Sequence, residues 1–108
     1  MNKDVYWFWL TNIRGIGKKR LEILLDYFGE PEKVFYADDK EIRDVFSGIK
    51  YISKDIVNHF IISRDLDKVK SKFDQLNKQG INFISIHSMD YPKQLKNIYD
   101  PPYTLYYR

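Results

Sequence analysis

The sequence has 108 residues, 44% hydrophobic, 17% aromatic and 31% charged, with a net charge of +3 and an isoelectric point near 9. A chain of this size and composition folds around a core without covalent staples. It has no cysteine, which excludes disulfides, thiolate metal sites and a cysteine nucleophile, and its small cation excess (ten against nine in residues 1–54, eight against six in residues 55–108) permits a nucleic-acid partner without requiring one.

In chain order, DVYWFWLTN, from Asp4 to Asn12, opens with a residue able to cap a helix and continues with apolar side chains around most of a helical circumference. A short buried helix is expected. The run Val5 to Leu10 is too short to cross a bilayer and lacks a small-residue cleavage site, so the expectation is a soluble, unexported, cytoplasmic protein with no membrane partner. The aromatic set Tyr6, Trp7, Phe8 and Trp9 suits a core or domain contact better than a platform for bases. Ile13 to Gly17, IRGIG, breaks the helix. From Lys18 to Phe28, Leu21, Leu24, Leu25 and Phe28 recur at helical spacing, and Gly29 is placed to end the helix in the left-handed conformation.

Two smaller helices are expected next. One has Pro31 in its first turn and Val34 and Phe35 facing inward; the other is capped by Asp38, with Ile42, Val45 and Phe46 inward and Gly48 as its break. Ser53 begins a stripe of Ile56, Val57, Phe60 and Ile61 that continues, past a kink near Arg64, through Leu66, Val69, Phe73 and Leu76 to Gly80. Lys68, Lys70, Lys72 and Lys78, set among Asp67 and Asp74, read as a solvated charged face rather than a binding surface.

After Gly80 the period changes. Ile81 to Ile86, INFISI, is apolar at both parities, as in a strand covered on two faces. A turn over His87 to Asp90 leads to a short helix with Pro92 in its first turn and Leu95 and Ile98 facing in; DPP then forces an extended path, and YTLYYR reads as a second strand. Two short strands make a poor free-standing sheet, so this tail should lean on the helices, on a further region of chain, or on a second copy.

Nothing in the sequence has the form of a catalytic constellation. His59 and His87 lack metal-ligand partners at helical spacing, Asp38, Asp39 and Glu41 suit a helix N-terminus, and no phosphate loop or nucleophile elbow is present. No enzymatic activity, cofactor or metal is expected. The stretch NIRGIGKKRLEILLDYFG instead has the layout of a helix-hairpin-helix motif. Gly15 and Gly17 would adopt dihedrals closed to other residues and expose N–H groups at the start of the second helix, Ile16 would pin the turn, and Arg14, Lys18, Lys19 and Arg20 would contact phosphates. The alternative is a tight connection whose cations keep its exposed end hydrated.

The tail carries a resemblance. Tyr91, Pro92, Leu95, Asp100, Pro101, Pro102, Leu105, Tyr106 and Arg108 stand in the order of a Tyr-Pro, a Leu, a DPP and a final LY.R segment that resembles the bacterial DNA-processing protein A family (DprA/Smf). The opening apolar helix, the Gly15-Ile16-Gly17 hairpin and the helix ending at Phe28-Gly29 are similar to the same family. The resemblance implies a mainly α fold: a helical domain like a sterile alpha motif or helix-hairpin-helix over residues 1–79, then a β-α-β segment over residues 80–108. That segment would supply the opening strands and short helix of a truncated Rossmann-like domain. It implies a non-enzymatic protein that binds single-stranded DNA, helps load the bacterial recombinase during natural transformation and forms a homodimer. The family's main DNA site and dimer surface would lie beyond Arg108, leaving this stretch with weak DNA binding at residues 14–20. The alternative is a protein-interaction module that never meets DNA.

Overall fold

The computed structural model describes residues 3–108. The first helix, α1 (Asp4–Thr11), is the hub, because apolar side chains on every side of it need cover. Its four consecutive aromatics face different neighbours. Tyr6 meets Phe35 and Tyr36 of α3 (Pro31–Tyr36) at ring separations of 5.4 and 5.8 Å. Trp7 stacks on Tyr103 at 5.7 Å and touches His87 at 5.6 Å. Phe8 meets Phe73 at 5.3 Å and Phe83 at 5.9 Å, and Trp9 lies edge-on to Phe35 and Phe60 at 5.0 and 5.4 Å. The set is therefore packing, and its rings offer no free platform for bases. Asp4 lies inside the first turn of α1 with Lys3 in the cap position, so the capping role expected of Asp4 is not the one it takes.

Around α1 the helices start and stop near the expected punctuation, although Asp38, at the N-cap of the fourth helix, makes no side-chain capping bond. Helix α2 (Lys18–Phe28) buries Leu21, Leu24 and Phe28 and ends at Gly29, whose φ of +93° is open to glycine at little cost and whose N–H reaches the Leu25 carbonyl at 2.8 Å. Helix α3 packs against both α1 and α2, and α4 (Asp39–Ser47), which buries Ile42 and Phe46, packs on α5 (Lys54–Ile62). Ser53 caps α5 through its side chain, which accepts the Ile56 N–H at 3.2 Å.

The long helix expected from Ser53 to Gly80 is two helices. It breaks completely at residues 63–65 and restarts as α6 (Leu66–Lys78), because the Asp65 side chain caps the new helix by accepting the Lys68 N–H at 3.3 Å. Two half-buried polar groups hold the break. Ser63 Oγ accepts the Trp9 indole N–H at 2.9 Å and donates to the Phe60 carbonyl at 2.6 Å. The Arg64 guanidinium, on a side chain only 10% exposed, donates to the carbonyls of Phe35 (3.0 Å) and Ala37 and pairs with Asp39. One cation thus satisfies the C-terminal end of α3 and neutralises a charge at the start of α4.

The tail leans on the helices. Strand β1 (Asn82–Ser85) is buried at Phe83, Ile84 and Ser85 and pairs antiparallel with β2 (Thr104–Tyr107), Phe83 opposite Tyr106 and Ile84 opposite Leu105. Between them lies α7 (Lys93–Lys96), a single turn, and the buried Tyr91, whose hydroxyl donates to the Pro102 carbonyl at 2.6 Å. The strand-helix-strand order matches the expectation for residues 80–108. The antiparallel pairing differs from the parallel pair of a crossover unit. Both strands contact α1, and Asn12 just beyond that helix donates to the Tyr106 hydroxyl at 2.7 Å. The result is a mainly helical chain carrying one small two-stranded sheet.

No helix among the described residues is long and apolar enough to cross a membrane.

Candidate nucleic-acid interface

The turn between α1 and α2 is built from Ile13 to Gly17. Ile13 is buried, and the half-buried Ile16 packs on the same core, its N–H reaching the Ile13 carbonyl at 3.3 Å. Ile16 therefore pins the turn, as its position between two glycines suggests. Gly15 has φ +87°, and a Cβ there would lie 3.0 Å from the Ile56 side chain, so both backbone and space require glycine. Gly17 corrects the expectation of two special glycines: its φ of −81° and ψ of 177° are ordinary extended values, and a Cβ would meet nothing within 4 Å. Its role is that of an N-cap residue without a side chain.

Because Gly17 supplies no side-chain acceptor, and the first intrahelical bond runs from Leu21 N–H to Gly17 O at 3.0 Å, the N–H groups of Lys18, Lys19 and Arg20 have no helical partner. They form the positive end of an 11-residue helix. The four cations around them divide into two pairs. Arg14 and Lys19 are exposed and make no ion pair or hydrogen bond among the described residues. Lys18 and Arg20, half-buried, are engaged in bonds to other parts of the chain.

Lys18 Nζ pairs with Asp100, donates to the Pro101 carbonyl at 3.0 Å and sits 5.3 Å from the Tyr103 ring centre. It fastens the start of α2 to the DPP corner. Tyr103, stacked on Trp7, has its pKa raised above the ordinary value by burial and then by nearby Glu22, with the Lys18 ammonium opposing the shift. Arg20 donates to the carbonyl of Gly15 at 2.6 Å and, with its other terminal nitrogen, to that of Tyr51 at 2.9 Å. It stitches the hairpin to the loop between α4 and α5. Tyr51 there has φ +63°, and the residue is 95% exposed.

Sequence reasoning missed Tyr51, since nothing local marks it, and the Arg20 bond that brings it beside the hairpin spans 31 residues. Elsewhere, His59 is exposed on α5 and His87 rests against Trp7. The described residues contain no group of three or more His, Asp or Glu positioned to hold a metal. No family model, curated protein or solved structure matches this chain.

Proposed function

We propose that this chain belongs to a DNA-processing protein of the DprA/Smf kind, and that its hairpin is an auxiliary contact for single-stranded DNA. The observation that carries the reading is the α1–α2 turn, where unpartnered helix N–H groups stand beside two exposed, unpaired cations, Arg14 and Lys19. A backbone phosphate docks on the N–H groups, Arg14 and Lys19 hold its neighbours, and the exposed Tyr51 ring stacks on a base. None of these contacts reads sequence. The sterile-alpha-motif-like or helix-hairpin-helix-like identity of residues 1–79, and a Rossmann-like continuation of residues 80–108, belong to the same proposal. So do a cytoplasmic location, a non-enzymatic role, homodimerisation and assistance to the bacterial recombinase in natural transformation. The order of Tyr91, Pro92, Asp100 to Pro102 and Leu105 to Arg108, which the structure folds as a short helix, a corner and a strand, supports it.

The test is fluorescence polarisation of a labelled single-stranded oligonucleotide at two salt concentrations. Arg14→Glu with Lys19→Glu abolishes binding on this reading; affinity unchanged at low salt rejects it. Substituting Lys18 or Arg20 is a poor probe, because each also removes a structural bond. A second reading, an interaction module without DNA contact, is favoured by that commitment of two of the four cations to internal bonds.

A further inference from the structure

A groove of about 470 Å³ runs between the end of α1, the end of α5 and the first half of α6, a size ordinarily large enough to seat a ligand. Ile13 and Val69 give it an aliphatic floor, and Ile62, 77% exposed, adds an uncovered apolar side chain to its lining. Three polar side chains on its walls already bond within the protein. Ser63 is held between Trp9 and Phe60, the Asn12 amide nitrogen donates to the Phe8 carbonyl and to the Tyr106 hydroxyl, and one oxygen of the Asp65 carboxylate caps α6. Three remain: His59, Lys68 and Lys72, all exposed and without a partner among the described residues.

We infer that this groove docks an acidic amphipathic helix of a protein partner. The chemistry left for a ligand is an aliphatic floor under a rim on which the Lys68 and Lys72 ammoniums outnumber the single Asp65 carboxylate, which calls for aliphatic anchors flanked by carboxylates. Lys68 and Lys72 stand four residues apart on one helix, an arrangement of like charges that weakens the helix unless an anion lies between them. Nucleic acid fits less well. The aromatic rings in the groove are engaged, Trp9 with Phe35 and Phe60 and Phe8 with Phe73 and Phe83, so no flat face remains for a base. The groove meets the α1–α2 hairpin only at the buried Ile13 and shares none of its cations or free N–H groups, so the two proposals fail separately.

The experiment selects a displayed library of random peptides of about 12 residues, roughly 18 Å of helix, on the immobilised chain. The selected peptides are then titrated into the isotopically labelled protein. The expected result is a consensus of aliphatic residues at i, i+3 or i+4, and i+7 with Asp or Glu between them. Amide shifts should centre on Ile62, Lys68 and Lys72, and Lys68→Glu with Lys72→Glu should weaken binding by about tenfold or more. Ile62→Asp should do the same, whereas Arg14→Glu should leave peptide binding unchanged. All four substituted side chains are exposed, and circular dichroism confirms the fold of each variant. No enriched sequence, a consensus lacking acids, or binding indifferent to the rim and Ile62 substitutions overturns the inference. So does an oligonucleotide that shifts the same amides in place of the peptide, or concentration-dependent shifts there showing that a second copy occupies the groove.

Discussion

The division of the hairpin cations into free and committed pairs fixes a number that the sequence alone would set twice as high. For single strands, log K falls against log salt by about 0.7 for each phosphate neutralised. With Arg14 and Lys19 as the available cations the slope is about −1.4, and raising salt from about 50 to about 200 mM weakens binding roughly sevenfold. Were Lys18 and Arg20 also on phosphates, the slope would be about −2.8 and the loss roughly fiftyfold. Polarisation titrations over that range, with a labelled single strand short enough to cover one site, separate the two. Three variants sharpen the measurement. Arg14→Ala with Lys19→Ala should flatten the slope toward zero. Lys18→Gln with Asp100→Asn, which removes a cation and its own anion together, should leave it near −1.4. Tyr51→Ala should lower affinity at every salt without changing the slope, because stacking releases no counterions. A wild-type slope at or beyond −2.8, or one that the Lys18/Asp100 exchange flattens, refutes the division.

Other outcomes follow from the packing. Arg64→Met strands the Phe35 and Ala37 carbonyls and should cost about 3 kcal/mol, lowering the thermal midpoint by roughly 10–20 °C in calorimetry. Gly15→Ala, which meets both a positive φ and Ile56, should cost about 1–2 kcal/mol in denaturant unfolding, while Gly17→Ser should be neutral or slightly stabilising as an N-cap. The Tyr6 and Tyr36 hydroxyls share a hydrogen bond of 3.0 Å, and this bond, followed by burial, pushes the Tyr6 pKa up to about 12 from 10.0. A folded pKa raised above the unfolded one adds stability that is complete below pH 10 and lost as pH climbs toward 12. Tyr36→Phe should therefore flatten the alkaline limb of the stability profile measured by urea unfolding.

What could be read in advance was whatever depends on neighbours in the chain. The leucines of α2 and its glycine stop, the Ser53 cap, the pinning Ile16 and the change of period after Gly80 are local signals, and each sits where its pattern places it. The break at residues 63–65 had a local signal too: an Asp immediately before an apolar helical residue marks a new cap as much as it continues a charged face. The fate of individual charges was not legible. Lys18 and Arg20 look no different from Lys19 in a basic run, and what engages them is an acid 82 residues away and a carbonyl 31 residues away. The groove escaped for the same reason, since Lys68 and Lys72 acquire an aliphatic floor only when α1 and α5 pack beside them.

The arrangement of α1 has a kinetic side. Its fastening bonds span long stretches of chain: 30 residues from Tyr6 to Tyr36, 54 from Trp9 to Ser63 and 94 from Asn12 to Tyr106. Loop closure over such distances must be met before any of these contacts contributes, and an eight-residue helix is marginal alone in water. The other helices can pair through nearer neighbours, so α1 is expected to dock late, and low φ-values for substitutions at Tyr6 and Trp9 in folding kinetics would check it. On that order of events the apolar α1 stays uncovered until the others have assembled, and slowing their assembly should both slow folding and raise aggregation.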